Sequence, residues 1–561
     1  MRTKKRKKRR IKFFLTLIVI VAIVVVCYIY KDSLFKTPEE AFKNYVASSE
    51  LTVPLYDEEY KESKKLIRGT EVEMYEKEYV NEDKKYKKVK YEDNFYMVNV
   101  ENLVDKIEDV VKEKELYVRT NLTLYKEEDS SKINSFVKKG EKLDIIGYYD
   151  LKDDGSVTKY KVKYNDLEGY VYSKYLVKSE EDSKKPYSEE IQNFMYNMGD
   201  WLGGGNAASL DYYPYEKPKF KDNVMPDEVR AVYINGGVVS NIDAYIEFAK
   251  SSNINAFVID IKDNTSPAYN SPVMQEYSPT NYSHAINDYE TYKGYIKKAK
   301  EAGIYVIGRI TTFKDSYFVN DHPEVAIKDY YGNSFNHNGS YWPTVYNRYV
   351  WEFNVELAKE AIKEVGFNEI QFDYVRFPDG TTYLENNGTI NLNNTYGESK
   401  ASVLQSFLMY ACDEIHKVGG YVSVDVFGES ASSYVTAYGQ FWPAISNIVD
   451  VISGMPYPDH FNIHEYGISE AVWTVPYTLL NYWSQSVVEK QSVIATPAIV
   501  RTWIQVYNAT RDPYTVYDAN KVSQEIQALY DNGLKGGYMT WNGVSYLDKY
   551  YAVSDAFRKE Y

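Results

Sequence analysis

From Arg230 to the C terminus, short apolar runs alternate with longer segments whose apolar residues recur at helical spacing. This alternation is typical of repeated βαβ units and predicts a parallel sheet. Because there are enough units to close a ring, and no G-x-G-x-x-G follows the first strand, the pattern favours a (β/α)8 TIM barrel in residues 229–561 over an open, nucleotide-binding sheet. The predicted strands are Ala231–Ile234, Ala256–Ile261, Tyr305–Ile310, Glu369–Tyr374, Tyr421–Phe427, Asp450–Ser453, Ser492–Ala495 and Gly537–Trp541.

A different pattern, short alternating strands between charged turns, covers the chain before residue 179. Leu55-Tyr56 resembles Leu124-Tyr125, and Lys88-Val89-Lys90-Tyr91 resembles Lys161-Val162-Lys163-Tyr164. This weak internal duplication predicts two small all-β barrels, in residues 50–105 and 115–178. The segment 179–228, with one short amphipathic pattern and a glycine-rich turn, is interpreted as a linker that contains one helix.

The N terminus combines a basic cluster in residues 1–12 with an apolar run in residues 13–30. The run has the length of one membrane span, and the positive-inside rule places residues 1–12 in the cytoplasm. We therefore expect a single-pass cell-membrane protein with a transmembrane helix at 13–30 and the bulk of the chain extracellular. A cleaved signal peptide is the main alternative, although the small residues of a cleavage site are missing, and a lipid-anchored Cys27 is a weaker one.

Composition narrows the classes of partner. The formal net charge is −14, and no long basic stretch follows the N-terminal cluster, so nucleic acid is not an expected partner. The two cysteines, Cys27 and Cys412, lie too far apart along the chain to pair in one folded unit. The chain has 59 tyrosines, whose rings can both stack on a ligand and hydrogen-bond to it.

Charged residues stand at the ends of the predicted strands, where barrel enzymes hold their active sites. Asp373 ends the fourth strand and Asp425 lies near the end of the fifth, so two carboxylates are expected side by side. Such a pair could cleave a glycosidic bond, one acid as nucleophile or base and the other as proton donor. Glu429 and Asp263 are reserve candidates, and an inert buried ion-pair network is the structural alternative.

The remaining strand ends supply polar and aromatic side chains suited to a sugar, since rings stack on its apolar face and polar groups bind its hydroxyls. Arg309 and Arg376 would in addition hold one acid in its ionised form. For any single aromatic residue, packing in the core is the competing explanation. The predicted substrate-binding residues are Asp260, Lys262, Arg309, Lys314, Tyr374, Arg376, Tyr457, Arg501, Trp503, Gln505, Trp541 and Asn542.

Other chemistries find little support. His460 and His464 could lie near each other, but no H-E-x-x-H motif or third ligand accompanies them, so neither a metal nor a cofactor is expected. No G-x-S-x-G motif occurs, and Cys412 falls within a predicted helix without an evident base, which argues against a serine or cysteine nucleophile.

Several of these runs resemble a bacterial family of inferred glycoside hydrolases with an alpha-amylase-like (β/α)8 barrel. The resemblance covers residues 230–550, and its most specific part is the run from Glu369 to Pro378. It implies the barrel and a retaining-type placement of Asp373 as nucleophile, without naming a substrate. Gly454 and Thr502 stand where the family usually has proline, which puts loop shape and specificity in doubt.

The second repeat, which opens with Tyr117-Val118-Arg119 and ends near Glu168-Gly169-Tyr170-Val171, resembles a bacterial SH3 domain. This resemblance implies attachment to the cell wall, whereas a rigid spacer is an equal alternative. Taken together, we expect a membrane-anchored glycoside hydrolase that acts on a wall or environmental polysaccharide. The rival hypothesis is a surface protein that binds glycan without cleaving it.

Overall fold

The computed structural model describes residues 2–29 and 40–561, so Tyr30 at the end of the predicted membrane span lies outside the described residues. Helix α1 (Arg2–Ile29) begins with the basic cluster, so much of its length is strongly charged. Among the residues that the structure describes, no helix is both long and apolar enough to cross a membrane. The expectation of a single-pass membrane protein with an extracellular bulk is therefore wrong.

Two seven-stranded antiparallel sheets follow, and their strand orders correspond: β3-β2-β6-β5-β4-β1-β7 and β10-β9-β13-β12-β11-β8-β14. The first sheet begins at Ala41, earlier than the predicted repeat. Whether either repeat is an SH3-like domain that binds the cell wall stays a prediction. The strands are β1 Ala41–Val46, β2 Thr52–Tyr56, β3 Glu62–Ile67, β4 Glu71–Asn81, β5 Lys84–Tyr91, β6 Asn94–Asn99, β7 Leu103–Val104, β8 Glu115–Val118, β9 Leu122–Tyr125, β10 Ile133–Val137, β11 Lys142–Leu151, β12 Val157–Tyr164, β13 Leu167–Tyr172 and β14 Leu176–Val177.

Local chemistry explains the first sheet. Strands β4 and β5 are joined by Glu82 and Asp83, which both have positive φ, as the tight turn of a hairpin requires. The alternating apolar residues of the strands meet in one core around Val53, Leu55 and Val89. By contacts, the chain forms two compact units, one of residues 1–115, 144–163 and 172–174 and one of residues 116–143, 164–171 and 175–561.

The C-terminal region is a nearly closed parallel barrel with nine strands in the order β26-β25-β24-β22-β18-β16-β15-β28-β27. The ring is open only between β26 and β27, which follow each other in the chain and are separated by Arg501. The strands of the region are β15 Val229–Ile234, β16 Ala256–Asp263, β17 Ser266–Pro267, β18 Tyr305–Thr311, β19 Lys328–Asp329, β20 Asn336–His337, β21 Ser340–Tyr341, β22 Glu369–Asp373, β23 Ile390–Asn391, β24 Tyr421–Phe427, β25 Val451–Met455, β26 Ile499–Val500, β27 Thr502–Gln505 and β28 Gly537–Trp541.

Helices cover the outside of the barrel, which buries the strands on both faces. Every residue of β18 is buried, the pattern of a parallel strand between a filled interior and a helical layer. The helices after α1 are α2 Glu180–Lys184, α3 Glu189–Tyr196, α4 Ile242–Ser252, α5 Pro272–Tyr277, α6 Pro279–Ser283, α7 Tyr289–Glu301, α8 Ser316–Asp321, α9 Arg348–Glu360, α10 Thr382–Asn386, α11 Lys400–His416, α12 Trp442–Ser446, α13 Pro476–Ser492, α14 Ala519–Asp531 and α15 Leu547–Arg558.

The barrel closes where β28 meets β15, and a glycine makes this approach possible. Gly537 has φ +100°, and a Cβ atom at this position would lie 1.9 Å from the carbonyl oxygen of Val229. Only a residue without a side chain fits there.

The seventh predicted strand is misplaced. The predicted residues, Ser492–Ala495, fall at the end of α13 and in the segment after it, and the strand begins only at Ile499. Helix α13 continues to Ser492, and the short apolar run after it resembles a strand in sequence without pairing with the sheet. Because the real strand lies further along the chain, Arg501 falls inside it and not beyond its end.

Candidate active site

Arg309 on β18 connects two acidic side chains at the carboxyl end of the barrel strands. Its Nε and Nη2 donate hydrogen bonds of 3.0 and 2.6 Å to Oδ2 of Asp373, and its Nη1 donates one of 2.8 Å to Oδ1 of Asp260. All three side chains are almost completely buried. Charge-assisted bonds of this kind are strong and directional, so Arg309 fixes the orientation of the Asp373 carboxylate.

Asp425 lies on the neighbouring strand and on the same face as Asp373. Strands β22 and β24 pair with Gln371 opposite Ser423 and Phe372 opposite Val424, so the next positions of the two strands carry the two aspartates. The indole N–H of Trp503 donates a 2.7 Å hydrogen bond to Oδ1 of Asp425. Burial raises the pKa of Asp425 well above its ordinary value, and the charge of Asp373 raises it further.

Asp260 and Tyr233 form the other side of the arginine clamp. The Tyr233 hydroxyl donates a 2.6 Å hydrogen bond to Oδ2 of Asp260, while Arg309 occupies Oδ1. Burial raises the pKa of Asp260 to about 6, against the opposing charge of Arg309. Asp260 therefore positions the arginine from behind and does not face an open space.

Asp263, a reserve acid, is more accessible than the others, with 41% of its side chain exposed. Burial would raise its pKa, but the charge of Arg309 and a 2.7 Å hydrogen bond from the Thr311 hydroxyl outweigh it, and the pKa is lowered. A carboxyl group that stays ionised in this way is suited to binding a ligand and poorly suited to donating a proton.

Aromatic rings enclose the acids on the far side of the barrel. Trp541 lies 5.6 Å from Trp503 and 4.6 Å from Tyr233 between ring centroids, and its ring also lies 5.7 Å from the guanidinium of Arg309. Tyr457 stacks on Trp541 at 6.5 Å. These rings exclude water from the carboxylates and leave Trp541 partly exposed as a surface for a ligand.

The residues after Asp373 leave the strand abruptly. Tyr374 has φ +54°, a left-handed conformation that costs a non-glycine residue energy. It turns the chain so that the guanidinium of Arg376 lies over three rings, those of Trp342, Tyr374 and Phe427, at 5.2, 4.8 and 4.4 Å. Arg376 pairs with Asp379, at 3.0 Å, and not with either catalytic candidate.

A cavity of about 590 Å³ opens next to the acids, at the ends of β24 and β25. The reserve acid Glu429 lines it and accepts hydrogen bonds from the hydroxyls of Tyr434 and Tyr438, at 3.0 and 2.8 Å. Asp373 and Asp425 do not line this cavity, which places Glu429 nearest to the open space.

Four of the predicted substrate-binding residues are used for internal contacts. Lys262 is completely buried and pairs with Asp315 at 2.6 Å. Gln505 donates to the carbonyl of Tyr507, and Asn542 donates to that of Tyr546.

Arg501 pairs with Glu369, the first residue of β22. This pair lies at the amino end of the strands and therefore at the opposite end of the barrel from the acids. The structure thus places Arg501 away from the acids, although the sequence predicts that it binds substrate. Lys314 stays near the site, with its ammonium 4.8 Å from the ring of Tyr374.

Some contributors were missed at the sequence level. Tyr233 lies within the predicted strand Ala231–Ile234, where an aromatic residue is expected to pack in the core. Trp342 lies in a long insertion without a recognisable pattern. The pairing of Asp459 with Tyr507, 2.6 Å apart, likewise joins residues from different loops. Within the described residues, no group of three histidine, cysteine or acidic side chains could hold a metal ion.

A comparison with protein families assigns most of the barrel to one family. Residues 231–546 match the family model described as "Putative glycosyl hydrolase domain". No curated protein matches the chain.

Solved structures give partial likenesses. A hypothetical protein from Ruminiclostridium thermocellum ATCC 27405 is 32% identical, covering 35% of this chain and 97% of its own, with a TM-score of 0.29. The PgaB (BpsB) glycoside hydrolase domain from Bordetella bronchiseptica is 11% identical over 59% of this chain and 98% of its own, with a TM-score of 0.42. The GH20 exo beta-N-acetylglucosaminidase from Vibrio harveyi is 12% identical over 59% of this chain and 54% of its own, with a TM-score of 0.38.

Proposed function

Because the chain belongs to this family of glycosyl hydrolase domains, we propose that it hydrolyses glycosidic bonds of a polysaccharide with Asp373 as nucleophile and Asp425 as general acid. The observation that carries the assignment is the asymmetry of the pair. Both aspartates are buried, but Asp373 is paired with the guanidinium of Arg309, whereas burial and the charge of Asp373 raise the pKa of Asp425. Two carboxyl groups whose surroundings separate their protonation states are the requirement for this chemistry.

We propose that the reaction is retaining, which the resemblance to alpha-amylase-like barrels implies. We infer a (β/α)8 barrel whose seventh strand is interrupted at Arg501, since β26 and β27 continue each other around the ring. In such a barrel, neighbouring strands lie about 4.8 Å apart. Side chains that point from neighbouring strand ends to the same face can reach the separation of about 5–5.5 Å between carboxyl groups that a retaining reaction requires, whereas an inverting enzyme holds them roughly 6.5–9.5 Å apart.

The reaction would then proceed in two steps. Asp373 attacks the anomeric carbon as Asp425 gives its proton to the leaving oxygen, so the glycosidic bond breaks and a glycosyl ester forms on Asp373. Asp425, now ionised, takes a proton from water, and the resulting hydroxide equivalent displaces Asp373 with release of the sugar. Arg309 holds the attacking carboxylate in place throughout, and Trp541 offers a ring face to the sugar.

One observation favours a second candidate, glycan binding without cleavage. The side chain of Asp373 is only 9% exposed, and Asp425 is 1% exposed. If the acids serve only to hold the barrel together, the accessible carboxylate Glu429 and the adjacent cavity would bind glycan alone.

The test is reducing-end release from a panel of polysaccharides by the full chain and by Asp373→Asn. We expect the substitution to lower kcat by on the order of 10³-fold or more in a chain that circular dichroism shows to be folded at the assay temperature. Asp555→Asn, which removes a carboxylate 83% exposed on α15, is the matched control and should keep full activity. Release that survives in Asp373→Asn but is lost in Glu429→Gln would move the nucleophile to Glu429, and no release from any glycan would favour the binding protein.

A further inference from the structure

A second open space lies at the same end of the barrel, away from the acid pair. It is a groove of about 650 Å³ between the insertion after β16 and the insertion after β18. Both insertions leave the carboxyl ends of parallel strands, so they rise on the side of the barrel that carries Asp373. The residues that matter for its chemistry are Thr280, His284, Tyr317, Asn320, Asn333 and Tyr341.

Rings and neutral polar groups alternate along this groove. The ring of His284 lies 4.6 Å from that of Tyr317, and Tyr341, which also lines the groove, remains 36% exposed. In the described part of the chain, the hydroxyls of Tyr317 and Tyr341 make no hydrogen bond. Accessible rings whose hydroxyls have no partner within the protein suit a sugar, which presents an apolar face and a rim of hydroxyl groups.

The groove differs in charge from the cavity beside Glu429. No lysine, arginine, aspartate or glutamate is among the residues that line the groove, although the whole chain carries a net charge of −14. The cavity, by contrast, is lined by Asp379, Glu429 and Glu465. A groove without charged groups can form hydrogen bonds to neutral hydroxyls and offers no partner to an anionic or cationic sugar.

Hydrogen bonds connect the groove rigidly to the strand ends of the site. Asn264, which directly follows Asp263, accepts hydrogen bonds from the amide and hydroxyl of Ser316, at 3.1 and 3.0 Å. The hydroxyl of Ser316 accepts a 3.0 Å hydrogen bond from the amide of Tyr341. A ligand in the groove is therefore held at a fixed position relative to the acids.

Beyond the groove, two further rings project into solvent. Tyr330 and Tyr331, which are 77% and 84% exposed, stand edge to face at 5.4 Å in a turn next to Asn333. The turn is braced by Asp329, whose carboxylate accepts hydrogen bonds from the amides of Tyr331 and Asn333, both at 2.9 Å. This exposed pair lies close to the groove and could extend the surface on which a sugar chain stacks.

We propose that this groove is a distal subsite for an uncharged polysaccharide. It would bind sugar units of the chain that lie away from the bond that is cleaved, with Tyr317 and Tyr341 as its stacking surfaces. The proposal rests on the proposed function for the identity of the ligand class, but the binding itself does not require catalysis. It makes the substrate a polymer, because a short glycoside cannot occupy both the acid pair and the groove.

Binding is measured by affinity gel electrophoresis of the full chain carrying Asp373→Asn in soluble starch, hydroxyethylcellulose, glycol chitin and polygalacturonate. We expect retardation by at least one neutral polymer and none by polygalacturonate. Adding Tyr317→Ala and Tyr341→Ala should weaken the neutral-polymer affinity about tenfold. Tyr196→Ala, which removes a 76% exposed tyrosine on α3, is the matched control and should change nothing.

Kinetics with the intact acid pair provide the second readout. The double tyrosine variant should raise KM for the polymer and leave kcat/KM for a short aryl glycoside unchanged. Equal retardation of the double variant and its parent, or binding of polygalacturonate alone, would overturn the subsite. If the two tyrosine substitutions weaken polymer binding but the chain with the intact acid pair hydrolyses no glycan, the subsite is supported and the proposed hydrolase activity is rejected.

Discussion

At the scale of single residues, the site depends on the different partners of two similar aspartates: Arg309 pairs with Asp373, and Trp503 hydrogen-bonds to Asp425. Arg309 is an obligate cation with a planar set of donors, so it can hold Asp373 and Asp260 at once. Trp503 donates only one neutral hydrogen bond to Asp425, and this does not offset the burial that raises the pKa of Asp425. The environment, and not the residue type, gives each aspartate its role.

Asp425→Asn tests this division. If Asp425 is the general acid, kcat/KM should fall by about 10²–10⁴-fold for a natural leaving group and much less for a 4-nitrophenyl glycoside, which needs little protonation. The alkaline limb of the wild-type pH profile, where Asp425 loses its proton, should disappear. Rates on both substrates at several pH values check this, and a retained alkaline limb would assign the acid to another residue.

The same variant has a pH-dependent effect on stability. Because folding raises the pKa of Asp425, its contribution to stability is complete below the unfolded value of about 3.9 and is lost as the pH rises through the raised folded value. Asparagine has no charge to bury. The melting temperature of Asp425→Asn relative to wild type should therefore increase from about pH 4 to about pH 8, and a constant difference would contradict the raised pKa.

How much of the site was readable from the sequence follows from the same residues. Strand alternation placed Asp373 and Asp425 on one face, because a period of two holds along any strand. The clamp partner could not be chosen in this way, since Arg309 and Arg376 were equal candidates. The left-handed Tyr374 turns the chain after Asp373, and Arg376 pairs with Asp379 as a result.

At the scale of elements, the interrupted seventh strand is the least regular part of the barrel. Arg501 separates β26 from β27, and its Nη1 donates a 2.7 Å hydrogen bond to Glu369, with both side chains completely inaccessible. Tyr305 donates to the same carboxylate at 3.0 Å. A buried pair of this kind stabilises less than it costs to break, because one partner alone is an uncompensated charge.

Arg501→Met should therefore lower the free energy of unfolding by about 3–5 kcal/mol, and adding Glu369→Leu should recover most of the loss. Urea denaturation of both single variants and the double variant measures this. At urea concentrations where each variant is fully folded, kcat should stay within about twofold of the wild-type value, because the pair lies at the end of the barrel opposite the acids. Equal stability of the single and double variants would show that Arg501 is held by other contacts.

At the scale of the whole molecule, the larger compact unit contains part of the second β repeat. The amide of Ile133 donates a 2.6 Å hydrogen bond to Glu352 on α9, and Tyr410 on α11 donates one of 2.7 Å to the carbonyl of Ser131. Arg119 pairs with Asp211 at 2.7 Å. The part of the second repeat in this unit thus supplies hydrogen-bond and ion-pair partners to the barrel's outer helices and to the segment before the barrel.

This arrangement predicts that the barrel is not independent of the repeat. A fragment of residues 180–561 leaves Glu352 and Asp211 without these donors, and each buried unsatisfied group costs about 1–3 kcal/mol. It should melt at a lower temperature than a fragment of residues 114–561, or aggregate. Thermal denaturation of the two fragments compares them directly, and identical melting temperatures would show that the barrel folds alone.

The sequence by itself determined the periodicity of the chain: alternating strands first, then repeated strand and helix units with acids at the strand ends. Periodicity is a local property, because it follows from which side chains one face of an element must bury. It also supported the family, since the most specific motif is a continuous run at β22. The membrane anchor, inferred from the same kind of local pattern, was wrong.

Only the tertiary structure decided which charges meet. Arg309, Asp260, Asp373 and Asp425 come from four different strands, and the neutral groove joins insertions whose sequences have no common pattern. An ion pair or a groove depends on the register between strands and on the path of loops, which are set by the packing of the whole barrel. For the same reason Arg501 lies at the opposite end of the barrel from the acids, although the sequence predicts that it lies beside them and binds substrate.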